Sequence, residues 1–493
     1  MRCSGILMHI SSLPGPYGIG TMGKRAFEFV DFLEESGQSV WQILPLTPTG
    51  YGDSPYQSCS TFAGNHYLID LEALVEEDLL KTEELETVQW CHSDTKADFG
   101  LLYNNRLKVL RLAFSRFRDN RALDEFCRAH NDWLPDFALF MALKDKFGGK
   151  PWYQWDEKLK FRDLIAIRDA QWELRFEIRF FCFVQYLFFK QWDALREYAH
   201  KKDIRIIGDV PIYVPYDSVE VWKDPQLFQL DERLDPVAVA GCPPDAFSAD
   251  GQLWGNPLYR WDVMEKENFQ WWIRRLAAAG ALYDIVRMDH FRGLEAYWSI
   301  PYGEETAKGG KWIKGPGMAF VEAVKQQLPQ LKMIAEDLGF LTQEVLDLRD
   351  ASGFPGMKVL EFAFDSREPS DYLPHTYTPN TVCYTGTHDN MTMRQWFETA
   401  TPEAVEYATE YMNLSEKEGL VWGVVRTAFS SVSETAVVPM QDLLDLGAEA
   451  RMNFPGKLSD ANWTWRAKDD IMSKALAKKL LAMTKLYGRY CGK

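Results

Sequence analysis

Three features that often reveal the class of a protein are absent from this sequence: paired cysteines, a long hydrophobic run and a surplus of positive charge. The eight cysteines are scattered over 493 residues, and no two of them form a Cys-x-x-Cys pair. Scattered cysteines are typical of reduced thiols in a cytoplasmic protein, and they argue against a disulfide framework or a zinc site. We therefore expect a cytoplasmic location.

The lack of a long apolar run argues against a membrane protein. A transmembrane helix needs about 20 consecutive apolar residues, whereas the most apolar stretch, 180–189, is short and contains Gln185. The apolar run at 5–10 is too short for a signal peptide. Lys and Arg number 55 against 71 Asp and Glu, which gives a net charge of −16. Because nucleic acids and anionic membranes bind clustered positive charge, we expect neither as a partner.

Metal and cofactor motifs are missing as well. The eight histidines form neither a His-x-His nor a His-Glu-x-x-His spacing, and there is no glycine-rich phosphate loop, so we expect no metal and no organic cofactor. Aromatic residues, in contrast, are abundant at 14%, with 18 Trp. Core packing explains most aromatic residues in a large protein. The same composition is also typical of a groove in which rings stack on sugars.

Eight short apolar runs alternate with helical patterns along the chain. Short runs rich in Ile, Val and Leu are typical of buried parallel strands. Eight such strands with helices between them predict an α/β fold, a (β/α)8 TIM barrel over 1–493. The runs lie at 5–10, 40–45, 204–210, 283–289, 332–337, 357–362, 381–386 and 435–440.

Two long intervals interrupt the alternation of strands and helices. The first, over about 72–195, has mostly helical patterns and predicts an inserted, largely helical subdomain. The second, at 217–268, is rich in Pro, Gly, Asp and Trp. We interpret it as a long loop insertion over the active site, at the C-terminal face of the barrel.

Charged residues stand at the ends of three predicted strands. Arg287 and Asp289 end one strand, Glu336 ends the next, and His388 and Asp389 follow a third. The C-terminal ends of barrel strands form the mouth where barrel enzymes carry out their chemistry. Glycoside chemistry needs one carboxylate that attacks the anomeric carbon and a second carboxyl that protonates the departing oxygen. The pattern therefore favours a glycoside-cleaving site.

Each of these residues also has a purely structural interpretation. Asp289 is a candidate N-cap for the segment after its strand. Glu336 and Asp337 could be a pair of acidic residues that form structural salt bridges at a strand end. Asp389 is suited to starting a turn. His388 alone would more often be a structural histidine.

Three segments resemble the active-site motifs of the 4-α-glucanotransferases, also called amylomaltases or disproportionating enzymes (glycoside hydrolase family 77), which are relatives of the α-amylases. They are Arg-Met-Asp-His-Phe-Arg-Gly at 287–293, Ala-Glu-Asp-Leu-Gly at 335–339 and Thr-Gly-Thr-His-Asp-Asn at 385–390. The resemblance runs along nearly the whole chain in order, through further segments at 11–20, 41–45, 50–56, 208–213, 244–245, 251–257 and 462–466.

The resemblance implies a barrel with insertions, no C-terminal β-domain, and retention of configuration by double displacement. It implies that Asp289 is the nucleophile, Glu336 the general acid/base and Asp389 the residue that stabilises the transition state. Arg287 would hold Asp289 ionised. The other substrate-binding residues that it implies are Tyr56, Asp245, Gln252, Trp254, His388 and Asn462.

The expected substrates are α-1,4-glucans and malto-oligosaccharides, and the expected reaction is transfer of a glucan segment to the 4-hydroxyl of glucose or another glucan. Two alternatives stay open. An α-amylase-like retaining hydrolase uses the same three carboxylates and differs in what attacks the glycosyl-enzyme. A catalytically inactive glucan-binding protein usually lacks a carboxylate, and none is missing here. For the oligomeric state we expect a monomer or a homodimer.

Overall fold

A computed structural model describes residues 2–50, 52–244, 249–339, 341–365 and 370–492 of the chain. In chain order its strands are β1 (Cys3–Leu7), β2 (Val40–Gln42), β3 (Arg205–Val210), β4 (Ala238–Cys242), β5 (Gln252–Pro257), β6 (Ile285–Met288), β7 (Ala296–Pro301), β8 (Lys311–Lys314), β9 (Met333–Ala335), β10 (Gly356–Val359), β11 (Thr381–Tyr384) and β12 (Thr435–Pro439).

The α-helices are α1 (Lys24–Glu35), α2 (Leu71–Glu76), α3 (Thr82–Glu86), α4 (Phe99–Arg116), α5 (Asn120–Ala129), α6 (Leu134–Lys146), α7 (Glu157–Lys160), α8 (Leu164–Glu173), α9 (Arg175–Lys201), α10 (Val219–Lys223), α11 (Trp261–Lys266), α12 (Gln270–Leu282), α13 (Gly317–Gln327), α14 (Gln343–Ser352), α15 (Met393–Thr399), α16 (Pro402–Met412), α17 (Leu420–Ser430), α18 (Met440–Leu443) and α19 (Lys474–Leu486). Among the described residues, none of these helices combines the length and the apolar character that a membrane span needs.

Eight parallel strands form the barrel, in the order β10-β11-β12-β1-β2-β3-β6-β9. The Ala335 amide of β9 donates a hydrogen bond of 2.9 Å to the Pro355 carbonyl just before β10, which brings the two ends of the sheet together. Each barrel strand overlaps one of the eight runs predicted from the sequence, although β1 and β10 begin before their runs, and the predicted (β/α)8 barrel is confirmed. The strands are shorter than the runs because pairing stops where each chain turns into the loop at the mouth.

A second, antiparallel sheet of four strands, β5-β4-β7-β8, lies outside the barrel. Two of its strands come from the chain between β3 and β6, and two from the chain between β6 and β9. The interval 217–268 therefore contains α10, β4, β5 and α11 in addition to loops. Its interpretation as one insertion over the active site stays a prediction.

The chain between β2 and β3 is helical throughout its regular elements, from α2 to α9. The 27-residue helix α9 packs against α4, α5 and α6 on one side and against α1 of the barrel on another. Its buried apolar side chains, among them Phe183, Leu187 and Trp192, join the same hydrophobic core as the barrel strands. The extent of this subdomain, predicted at about 72–195, stays a prediction.

Candidate active site

The charged side chains singled out from the sequence follow barrel strands at one edge of the barrel. Asp289 comes directly after β6 and Glu336 directly after β9, while Asp389 lies in the segment after β11. Parallel strands bring their C-terminal ends to the same side. Asp289 lies within electrostatic reach of both Glu336 and Asp389. The three carboxylates therefore face one cleft.

Arg287 on β6 links two carboxylates. Its Nη1 donates hydrogen bonds to both oxygens of Asp209 on β3, at 2.8 and 2.7 Å, and to Oδ1 of Asp289 at 3.0 Å. The Tyr56 hydroxyl donates to Oδ2 of Asp209 at 2.7 Å. The Asp209 side chain is fully buried, while that of Asp289 is 27% exposed. The Arg287–Asp209 ion pair is thus buried inside the barrel, and the hydrogen bond from Arg287 holds the partly exposed Asp289 carboxylate at the cleft.

Opposing effects act on the Asp289 carboxyl. Burial raises its pKa, and the Arg287 guanidinium opposes that rise, while the nearby Asp209, Glu336 and Asp389 carboxylates add to it. The pKa of Asp289 is raised overall, and Arg287 is the group that limits the rise and favours the ionised form. The backbone excludes the alternative in which Asp289 caps a helix. The short turn Phe291–Leu294 has His290 at its N-cap and lacks a side-chain cap.

Glu336 and Asp337 point to different partners. The two oxygens of Glu336 accept backbone hydrogen bonds from His290 at 2.7 Å and Leu338 at 2.8 Å. Asp337 instead forms an ion pair of 2.7 Å with Arg349 on α14. Glu336 is therefore not one half of a structural salt bridge. Burial raises the pKa of its carboxyl, and the Arg287 charge and the two amide hydrogen bonds oppose the rise, which suits a group that has to carry a proton.

Asp389 is held by its neighbours after β12. Its Oδ1 accepts a hydrogen bond of 2.6 Å from the Asn453 amide, and its backbone carbonyl accepts one of 3.1 Å from Arg451. His388 Nε2 lies 3.4 Å from Oδ2 of Asp389. The turn itself is closed by Asn390, whose Oδ1 accepts from the Thr387 amide at 2.9 Å. The Asp389 carboxylate is thus 43% exposed at the cleft and not used to form the turn.

Aromatic rings form one wall of this region. The Tyr56 ring stacks on His388 with centroids 5.2 Å apart and an angle of 15°, and Trp463 packs against both. Burial lowers the pKa of His388, which favours the neutral imidazole. On the other side, Trp254 of β5 meets the His290 ring edge-on at 4.9 Å.

The remaining predicted binding residues differ in how free their polar groups are. The Gln252 amide oxygen accepts a hydrogen bond of 3.1 Å from the Trp254 indole, so the two form one unit on β5. The Asn462 amide is used within its own loop, because it accepts from the Phe454 amide at 3.1 Å and donates to the Lys457 carbonyl at 2.8 Å. Asp245 lies outside the described residues.

Among the residues that the structure describes, no group of three or more His, Cys, Asp and Glu side chains is placed to hold a metal ion.

Comparisons with known proteins agree with this geometry. The family model described as 4-alpha-glucanotransferase matches residues 8–472. A 4-alpha-glucanotransferase of Clostridium butyricum is 51% identical over 98% of this chain and 100% of its own, and one of Aquifex aeolicus is 48% identical over 99% and 100%. The solved amylomaltase of Streptococcus agalactiae, in complex with acarbose, superposes with a TM-score of 0.97 at 43% identity, over 99% of this chain and 100% of that one.

The chain belongs to the 4-alpha-glucanotransferase family. This confirms the resemblance predicted from the three motifs. The amylomaltase of Corynebacterium glutamicum has a TM-score of 0.76 at 19% identity, over 99% of this chain and 74% of its own, and shows the shared fold alone.

For this member of the 4-alpha-glucanotransferase family, sequence reasoning missed two side chains that organise the cleft. Asp209 pairs with Arg287, and Asn453 binds Asp389. Asp209 could have been found from the sequence, since it is an acidic residue near the C-terminal end of a mostly apolar strand. Asn453 had none, because it lies in a loop without periodicity, 64 residues after Asp389.

Proposed function

We propose that the protein is a 4-α-glucanotransferase, which moves a segment of an α-1,4-glucan to the 4-hydroxyl of glucose or another glucan with retention of configuration. The observation that carries the proposal is the convergence of Asp289, Glu336 and Asp389 on one cleft, with Arg287 bonded to Asp289 at 3.0 Å. Membership in the family supports the same reaction.

In the first step, the ionised Asp289 attacks the anomeric carbon of the donor glucan. Arg287 binds Oδ1, so we assign the attack to Oδ2. The bond from the anomeric carbon to the glycosidic oxygen breaks, and Glu336 gives its proton to that oxygen as it leaves. The products are a glycosyl ester on Asp289 and a shortened glucan with a free 4-hydroxyl.

In the second step, Glu336, now ionised, takes the proton of the acceptor 4-hydroxyl. The acceptor oxygen attacks the anomeric carbon from the face that the first leaving group occupied, and the bond to Asp289 breaks. Two inversions give net retention. For retaining enzymes the two carboxyl groups stand about 5–5.5 Å apart, and we expect this separation between Asp289 and Glu336.

Asp389 and His388 are the residues that we assign to the sugar at the cleavage point. The Asp389 carboxylate would stabilise the positive charge that develops in the transition state, and the neutral His388 would bind a hydroxyl. Tyr56, Trp254, Gln252 and Asn462 are proposed to contact further sugar units. Asp245 is proposed with them on the strength of the sequence alone.

Glucans and malto-oligosaccharides are the partners proposed here. The Streptococcus agalactiae relative is known in complex with acarbose, and its similarity supports binding of the same class of ligand. From the sequence pattern we also propose a cytoplasmic location and a single barrel with two insertions, at about 72–195 and at 217–268.

Incubation with maltotriose alone tests the function. A transferase yields glucose together with longer malto-oligosaccharides, while the total number of reducing ends stays nearly constant. The transfer requires that an acceptor hydroxyl outcompete water, and positioning in the cleft supplies the advantage. Reducing ends that rise in step with the loss of maltotriose would indicate the hydrolase alternative. Binding of maltotriose without any product would indicate the inactive glucan-binding protein.

A further inference from the structure

The segment 385–393, which carries His388 and Asp389, is tied at both ends to one buried carboxylate. Asp442 stands in α18, and it is 1% exposed. Its Oδ2 accepts a hydrogen bond of 2.5 Å from the Thr385 hydroxyl, and its Oδ1 accepts one of 2.8 Å from the Met393 amide. Asp442 therefore fixes the distance between the start and the end of the segment.

A second carboxyl group, Glu361, lies against the middle of the same segment. It stands in the short turn Leu360–Phe362 after β10, and its backbone amide donates to the Thr385 carbonyl at 3.1 Å. Its carboxyl lies close to the Met391 amide and the Asn390 side chain, which both act to lower its pKa. Oε2 of Glu361 lies beside Gly386, 3.4 Å from the position that a Cβ would take there, which is an ordinary van der Waals distance.

Asn390 closes the turn that carries His388 and Asp389. Its Oδ1 accepts from both the amide and the hydroxyl of Thr387, at 2.9 and 2.8 Å. Thr387 and Asn390 flank His388 and Asp389 in the chain. The orientation of the two cleft residues thus depends on a turn that Asn390 closes, and Asn390 lies close to the Glu361 carboxyl.

We propose that Glu361 and Asp442 are positioning residues, which hold the 385–393 segment so that Asp389 and His388 meet the sugar in a fixed geometry. The inference rests on the proposed function, in which Asp389 stabilises the transition state. The two carboxyls act through the segment, and Asp389 is the group that meets the sugar.

The two carboxyls differ in how strongly their surroundings raise their pKa. Burial raises the pKa of Glu361 to about 8, and the Asp442 charge adds to the rise, while the Met391 amide, the Asn390 side chain and the Arg451 guanidinium oppose it. Burial raises the pKa of Asp442 to about 6, with a smaller contribution from Asp445. In the described residues Oε2 of Glu361 is buried without a hydrogen-bond partner, which favours the neutral acid. Above its pKa, Glu361 becomes a second negative charge beside Asp442, and the segment should loosen.

Single-turnover fluoride release from a glucosyl fluoride donor tests the role. Fluoride leaves without a proton, so this step does not need the proton of Glu336. We expect the rate for the unchanged protein to fall as the pH rises through about 8. Glu361→Gln, which imitates the neutral acid, should keep the rate at pH 7 and lose the alkaline fall. Glu361→Ala should lower the rate about 100-fold at every pH, because small misplacements of reacting groups have costs of this size, with little change in donor KM.

Glu220 supplies a matched control. It is 3% exposed, burial raises its pKa, and it accepts hydrogen bonds from Ser60 and Thr61 outside the cleft. Glu220→Gln should keep the pH profile of the unchanged protein. An alkaline fall that persists in Glu361→Gln, or an unchanged rate in folded Glu361→Ala, overturns the positioning role. If Glu361→Ala does not fold, the Glu361→Gln profile still decides. An unchanged protein that releases no fluoride contradicts the proposed function itself, and the positioning role with it.

Discussion

The two sides of the cleft hold their carboxylates by different means. On the side of β3 and β6, Asp289 is fixed by charge, through a guanidinium that also binds the buried Asp209. On the side after β11, the Asp389 carboxylate accepts from the neutral amide of Asn453. The first arrangement joins two strands of the barrel, whereas the second joins two loops.

This difference matters because loss of an ion-pair partner and loss of a neutral hydrogen-bond donor have different energetic costs. Loss of one partner of a buried ion pair leaves an uncompensated charge and costs about 3–5 kcal/mol. Loss of a hydrogen bond to a charged group costs about 1.5–3 kcal/mol. We therefore expect changes on the Asp289 side to affect both folding and turnover, and changes on the Asp389 side to affect mainly turnover.

The largest expected effect is that of Asp289→Asn. An amide cannot form the covalent ester, so turnover of every α-glucan should fall by about four orders of magnitude or more, as for other lost nucleophiles. Glu336→Gln should lose most activity on glucans but still load a glucosyl fluoride donor. The glycosyl-enzyme should accumulate in that variant and appear as added mass on the peptide that contains Asp289. A label found on Glu336 or Asp389 would contradict the assigned roles.

Next in size is the loss of the buried cation. Arg287→Met should reduce the free energy of unfolding by about 3–5 kcal/mol, because Asp209 is left buried and charged. Urea denaturation measures the loss. Asp209→Asn in the same chain should recover part of it, since the uncompensated charge is then removed. Additive losses in the double variant would show that the pair does not couple the two strands.

A smaller effect is expected on the other side of the cleft. Asn453→Ala removes the hydrogen bond to Asp389, and kcat on maltotriose should fall by about 10- to 100-fold, the equivalent of 1.5–3 kcal/mol. The melting temperature should change little. Asn104→Ala, at an exposed position on α4, is the control and should leave kcat unchanged. A loss of stability as large as that of Arg287→Met would remove the distinction between the two sides.

The smallest effect is expected for Tyr56→Phe. It removes the hydroxyl that donates to Asp209 at 2.7 Å and keeps the ring that stacks on His388. Asp209 keeps both hydrogen bonds from Arg287, so a loss of about 1 kcal/mol, or about fivefold in kcat/KM, is expected. Steady-state kinetics on maltotriose measure it. A loss above 100-fold would instead point to a direct role of the hydroxyl on the sugar.

The fold and the centre of the site were within reach of sequence reasoning for a physical reason. Buried parallel strands have sequences of short apolar runs, and each of the eight runs overlaps a barrel strand. A charged residue at the end of such a run has to lie at the C-terminal mouth. The sequence alone therefore places Asp289 and Glu336 at one edge of the barrel.

The strand ends and the second sheet around these residues could not be predicted from the sequence pattern. The predicted strand 40–45 ends at Gln42 in the structure, because the pattern of apolar residues does not show where the hydrogen bonds between neighbouring strands stop. The interval 217–268, interpreted as a loop, supplies two strands to a separate sheet. Pairing between distant segments in such a sheet depends on how loops close, which a local pattern does not contain.

By itself, the sequence determined the barrel, the order of its strands and the edge at which its carboxylates stand, because these follow from local periodicity and from the common direction of parallel strands. Arg287 was expected beside Asp289, but only the tertiary structure decided which further groups hold these charged side chains in place. The pairing of Arg287 with Asp209, 78 residues away, and of Asp389 with Asn453, 64 residues away, joins segments far apart in the chain. Such contacts depend on side-chain geometry across the closed barrel, and no local pattern specifies them.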